Sequence, residues 1–189
     1  MKCKYVFLSG LVALMLITWP TVVLAGDPSI TFAETVRQAT ARFQDVETAK
    51  QAGYSLLYGC VSNTQAGAMG IHFANSTLVS DGELDAQHPE ALIYEPKRDK
   101  LQLVAVEYVV LADAWNAKHQ TPPVLMGQLF NYMSSPNRYG LPAFYELHVW
   151  AWKNNPSGVF ADWNPQVSCE TYADDLGLQG EHAETAMIK

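Results

Sequence analysis

Residues 139–169 read YGLPAFYELHVWAWKNNPSGVFADWNPQVSC (Tyr139–Cys169), and the alternation inside this stretch decides the fold class. From Ala143 to Trp152 the side chains repeat with period two, the signature of a strand rather than a helix. Tyr145, Leu147, Val149 and Ala151 fall on one face, which is a plain core face. Phe144, Glu146, His148, Trp150 and Trp152 fall on the other. That second face is aromatic, with a carboxylate and an imidazole set into it. It suits neither solvent nor an ordinary core, so it reads as the wall of a pocket. Burial of both faces points to a strongly curved sheet or a partial barrel. Asn155-Pro156-Ser157-Gly158 is strong turn chemistry, and Val159–Trp163 is expected to return as a further strand.

Working outward, Ala91–Glu95 and Leu101–Val110 form a hairpin across Pro96–Lys100. Leu101, Leu103, Ala105, Glu107 and Val109 share one face of its second arm. A carboxylate at Glu107 among such neighbours must be paired, bonded to a ligand or protonated. Tyr54–Val61 and Ala68–Ala74 also read as strands, with Gly70, His72 and Ala74 on one face of the latter. The small residues flanking His72 leave room for a group to approach its ring. Residues 76–90 read as a loop and Ala112–Lys118 as a short helix around Trp115. After Pro122-Pro123, the spacing of Leu125, Leu129, Tyr132 and Met133 suggests another helix.

Nearer the N-terminus, Thr31-Phe32-Ala33-Glu34 matches a capping box. Phe32, Val36, Ala39, Phe43 and Val46 continue as one apolar stripe, a helix running to about Gln51. Beyond Cys169 the sequence has no periodicity, and residues 170–189 read as a loosely ordered acidic tail. The architecture expected for residues 26–169 is a single α+β domain. A long N-terminal helix would pack on a curved antiparallel sheet of about five or six strands.

Residues 1–25 carry Lys2 and Lys4, an apolar run from Tyr5 to Thr18, Pro20, and Val23-Leu24-Ala25 with small-x-small spacing. This is the pattern of a secretory signal peptide cleaved after Ala25. An uncleaved membrane anchor is the alternative, since residues 5–25 nearly reach spanning length. Cleavage would leave ten Lys and Arg against nineteen Asp and Glu, a formal charge of −9. Such a balance argues against nucleic acid or an anionic membrane surface as partner. No later apolar run approaches membrane-spanning length, so the mature form is expected to be free of the membrane, secreted or periplasmic. Two cysteines then remain, Cys60 and Cys169, and an oxidising compartment makes a disulfide their simplest state. Two thiolate metal ligands are the competing reading, without a CxxC or a nearby Cys/His partner to favour it.

The segments GAMGIHF (67–73), HPEALIYEP (88–96), LQLVAVEYVV (101–110) and YELHVWAWKNNPSGVFADWNP (145–165) resemble a group of small secreted bacterial proteins of uncharacterised function. The resemblance covers roughly Tyr54–Cys169 and implies a bacterial envelope or extracellular location. It brings no activity, cofactor or catalytic residue with it.

Three functional readings follow from the residues. The leading one is a small-molecule-binding protein whose pocket is lined by the strand at 143–152, through Phe144, Glu146, His148, Trp150 and Trp152. The second is a metal-dependent enzyme. His72, Glu107 and His148 on separate strands would hold a divalent metal such as zinc or iron, since imidazole and carboxylate donors suit both. The third is a structural domain in which these groups form a buried hydrogen-bond network. A Ser/His/Asp hydrolase is disfavoured because no Gly-x-Ser-x-Gly elbow occurs. Gly67-Ala68-Met69-Gly70 is too short for a phosphate loop and no Lys follows it.

Overall fold

The structure is a computed structural model that describes residues 27–175. The signal-peptide reading of residues 1–25 and the tail from 176 onward lie outside the described residues. The chain is α+β, with a helical segment from Pro28 to Gln44 and a curled six-stranded antiparallel sheet that forms a half-barrel. Helix α1 is Pro28–Thr40, followed by a 3-10 turn at Ala41–Gln44 and helix α2 at Val46–Gln51. The strands are β1 (Ser55–Asn63), β2 (Gly67–Ala74), β3 (Ala91–Lys97) and β4 (Lys100–Leu111), with helix α3 (Ser76–Asp81) between β2 and β3. Helix α4 (Ala112–Asn116) leads to a small hairpin of β5 (Val124–Leu125) and β6 (Gln128–Leu129). Strands β7 (Asn131–Met133) and β8 (Phe144–Val149) complete the main sheet, and α5 (Glu170–Asp175) follows Cys169. Sheet order is β1-β2-β3-β4-β8-β7. No helix among the described residues is long and apolar enough to cross a membrane.

The helical segment differs from the single long helix expected. Its cap is Asp27, whose carboxylate accepts from the Ser29 N–H, and Pro28 sits in the first turn, where its missing N–H costs nothing. Thr31 is already inside the helix and donates to the Asp27 carbonyl, so the capping box is not used. The helix then breaks at Asp45, which is extended at φ −93° and ψ 115°. Its carboxylate accepts from Glu47 and Thr48 N–H and starts α2, a local bond that competes with helix continuation. Apolar spacing could not show this, because Phe43 and Val46 fit either side of the break.

Paired strand residues share a face, and this separates the sheet into two environments. One face carries Phe73, Leu92, Val106, Tyr108 and Leu147 and packs on α1. Phe32 meets the Tyr108 ring at 5.6 Å between centroids, and the Tyr94 hydroxyl donates to the Phe43 carbonyl at 2.7 Å. The other face carries His72, Ala91, Glu107, His148 and, one step along, Val109 and Glu146. A bulge where Tyr94 pairs with Leu103 shifts the phase of β4, so Leu103 leaves the face that Glu107 occupies.

Three other expectations are corrected. The helix after Pro122-Pro123 is instead the β5–β6 hairpin, which turns over Met126 and Gly127, both at positive φ (47° and 83°). Tyr132 and Met133 belong to β7. Val159–Trp163 is irregular and forms no strand, although the Val159 carbonyl accepts from the Trp150 N–H. Residues 170–175 form a helix rather than the start of a loose tail.

Cys60 and Cys169 are joined with Cα atoms 5.6 Å apart. The same C-terminal segment is tied back by an isolated bridge between Ala68 and Asn164. Gly67 makes that closeness possible. It has φ +90°, and a Cβ there would land on the Asn164 carbonyl and the Pro165 Cα. Gly67→Ala should therefore destabilise by about 2–3 kcal/mol, combining left-handed strain with a backbone clash that cannot rotate away. Denaturant titration against the unaltered chain checks this, and a change below 0.5 kcal/mol, the usual scatter of surface substitutions, would contradict it.

Candidate functional site

Antiparallel pairing of β4 with β8 sets Glu107 directly opposite His148, while His72 arrives two strands away on β2. The half-barrel curl closes that gap. One ligand atom from each of His72, Glu107 and His148 lies within 4.8 Å of the others, and all three residues are buried. His72 Nε2 is 3.6 Å from Glu107 Oε2, and the two imidazoles meet edge to face with centroids 6.3 Å apart. Glu146, also on β8, hydrogen-bonds to Glu107. Asp162 places Oδ1 3.7 Å from His148 Nδ1 and accepts from Asn131 Nδ2 at 3.2 Å.

The electrostatics follow from burial, and among the described residues no lysine or arginine pairs with these groups. Burial holds His72 down to about 3, helped by His148 and opposed by the Gly70 carbonyl. Burial likewise holds His148 down to about 4. Both rings are thus neutral at pH 7, and their approaches to carboxylates at 3.6 and 3.7 Å are neither ion pairs nor full hydrogen bonds. Burial also drives Glu107 well above the usual carboxylate range, with the neighbouring Glu146 adding to the rise. Burial raises Glu146 to about 7, against the hydrogen bond from Glu107 that lowers it. The stable arrangement is a protonated Glu107 donating to Glu146. Even so, His72 Nδ1, both nitrogens of His148 and Oε1 of Glu146 are buried without a hydrogen-bond partner.

A cavity of about 200 Å³ opens onto this cluster. His72, Glu107 and Glu146 form its polar floor, and Met69, Val109, Leu141 and Phe144 are among its apolar walls. Tyr58 and Tyr139 line it too. The Tyr58 hydroxyl donates to the Tyr139 carbonyl at 2.8 Å, and Tyr139 Oη reaches Met69 Sδ at 3.7 Å. Ser55 and Ser76 are exposed lining residues near the opening.

Two of the five expected wall residues line the cavity. Phe144 and Glu146 line the cavity, while His148 is fully buried and joins the cluster without lining the cavity. Trp150 and Trp152 do not reach it, because the strand ends at Val149. Trp150 donates from Nε1 to the Ala161 carbonyl, and Trp152 donates from Nε1 to Thr40 Oγ1 on the helix side at 3.0 Å. The chain bends here because the Val104 carbonyl takes the N–H groups of both Trp152 and Lys153. The small residue two positions before His72, Gly70, also has a structural cause. A Cβ at Gly70 would come within 2.7 Å of the Tyr94 carbonyl, so strand approach requires the glycine. Tyr58, Tyr139 and Asp162 were not legible as site residues. Tyr58 reaches His72 through an irregular register, and the other two sit in non-strand segments.

No protein-family model, curated protein or solved structure matches this chain.

Proposed function

We propose that His72, Glu107 and His148 hold a divalent metal at the floor of the cavity, and that a small molecule entering the cavity binds beside it. The observation that supports this is the convergence of one ligand atom from each of the three buried residues within 4.8 Å, with both nitrogens of His148 and Nδ1 of His72 left without a hydrogen-bond partner. Buried polar groups are rarely left unsatisfied, and a cation is a standard reason when they are. Two neutral imidazoles and a carboxylate suit zinc or iron. Zinc bonds of about 2.0–2.1 Å place tetrahedral donors roughly 3.3–3.4 Å apart. The 3.6 Å between His72 Nε2 and Glu107 Oε2 is close to that. Asp162 beside His148 Nδ1 is suited to orient the ring. A bound metal would supply Lewis-acid polarisation of a donor atom on the guest, the property that makes a metal-dependent enzyme the stronger form of this reading. A purely structural network is the weaker fit, since four of its buried polar atoms stay without a hydrogen-bond partner. A secreted or periplasmic setting belongs to the same proposal, supported by the Cys60–Cys169 bridge and the signal-like residues 1–25.

Elemental analysis of protein purified without chelator should find close to one metal per chain. His148→Ala should lower zinc affinity at least 100-fold. Glu107→Gln should also lose the metal, yet keep the fold of the metal-free protein, because an amide can hydrogen-bond to Glu146 as the carboxylic acid does. A chain whose melting temperature ignores added zinc, iron, copper and manganese removes the metal reading.

A further inference from the structure

We infer that the cavity takes a compact apolar molecule with one uncharged or cationic polar head, an alcohol, carbonyl or amine, and rejects carboxylates and phosphates. The inference rests on reading this cavity as the ligand site, and only secondarily on the metal beneath it.

The walls dictate the body of the guest. At about 200 Å³ the space falls below the ~300–1,000 Å³ of pockets for drug-sized ligands. Val109, Leu111, Leu141 and Phe144 offer it only apolar contact. The two tyrosine hydroxyls are already committed to the Tyr139 carbonyl and to Met69 Sδ, so they do not point a guest toward the walls. Apart from Ser55 and Ser76 at the exposed opening, free polar atoms wait at the floor, where Glu146 is 2 % exposed and keeps Oε1 unpartnered. A guest must therefore enter head first.

The floor dictates the head. Among the described residues, no Lys or Arg lines the cavity. Arg138 is exposed and holds its guanidinium over the rings of Tyr139 and Trp163, at 5.9 and 5.8 Å from their centroids. Three carboxyl groups, Glu107, Glu146 and Asp162, surround the two histidines. An anionic head would be desolvated beside these acidic groups with no lysine or arginine at the cavity to compensate it, which is the costly case for a buried ion. An alcohol or carbonyl escapes that cost, and an ammonium gains a carboxylate partner.

The test uses one carbon skeleton with three heads. Cyclohexanol, cyclohexylamine and cyclohexanecarboxylate are titrated into the full chain, with and without one equivalent of zinc, and side-chain methyl resonances are followed by NMR. Cyclohexanol or cyclohexylamine should shift the methyls of Met69, Val109 and Leu141 and bind at least tenfold more tightly than the carboxylate. Val109→Phe, which fills the cavity, should abolish the binding; if that variant does not fold, the map of shifted methyls in the unaltered chain decides alone. Carboxylate binding of equal or greater strength, or shifts confined to residues outside the cavity, overturns the inference. Zinc uptake without binding of any probe also overturns it and leaves the metal reading intact. Alcohol or amine binding without zinc uptake upholds it while the metal reading fails.

Discussion

Replacing both Cys60 and Cys169 with alanine should lower the stability of the protein by about 4–5 kcal/mol, the chain-entropy cost of releasing a closed loop of this size. The bridge spans a sequence separation of 109 residues and joins strand β1 to the segment that begins α5. Both cysteines are buried, at 0 % and 5 % exposure, so the alanines also remove packing atoms from the core. At about 2–4 °C per kcal/mol for a chain of this length, the melting temperature should fall by roughly 10–20 °C. The double variant is the right comparison because a single one leaves a buried thiol. Other ties to the C-terminal segment set the competing expectation. Glu95 is buried and accepts from Lys153 Nζ at 2.7 Å and from the Ser168 N–H at 3.3 Å, and Asn164 pairs with Ala68. If the double variant lost less than about 1 kcal/mol, those contacts would be holding the segment without the bridge. Mass spectrometry of unreduced protein should find no free thiol at either position.

How much of this was legible depended on whether the deciding physics was local. Period-two alternation found β2, β4 and β8, because side-chain direction along a strand is set by its own backbone. It also placed His72, Glu107 and His148 on strands with apolar surroundings, and their convergence follows once the sheet curls. The disulfide followed from counting. What stayed hidden was decided by partners distant in sequence, or by local backbone bonds and turns that apolar spacing does not register. The Val104 carbonyl bends the chain at Trp152, so an alternation that runs on to that residue on paper stops three residues earlier. Asp45 breaks a helix whose apolar spacing is continuous across it, because its carboxylate offers the backbone a different bond. The hairpin at Met126-Gly127 turned an apparent helical spacing into exposed strand residues, with Val124 and Leu129 opposite each other. Asp162 carries no local mark of its role. Only the fold brings it to His148.

Glu90→Gln should stabilise the metal-free protein at alkaline pH while changing it little near pH 4. Strand β3 begins at Ala91, yet β4 runs on past its partner, and the N–H of Val109 would be left without a strand acceptor. The Glu90 carboxyl fills that place, accepting from Val109 at 3.1 Å while only 2 % exposed. Among the described residues, no lysine or arginine forms an ion pair with it. Asp81 and Asp85 lie near enough to add repulsion, and the rings of Tyr54 and Tyr108 feel its charge. Burial therefore raises Glu90 from 4.5 to about 8. The sign follows from proton counting. Between these values the folded chain keeps the proton and the unfolded chain has lost it, so stability falls as pH rises through this window. At about 1.36 kcal/mol per pKa unit, the loss is on the order of 3–5 kcal/mol once the folded carboxyl ionises. Glutamine still offers a carbonyl oxygen to Val109 and never ionises, so the variant should escape the loss. Glu107 and Glu146 also have raised values and slope the same way, which makes the difference between variant and unaltered chain the quantity to measure. Chemical denaturation in metal-free buffer at half-unit steps from pH 4 to 9 should show that difference growing from near zero. A flat difference across the window would mean that Glu90 ionises normally in the folded chain and that its apparent seclusion admits water.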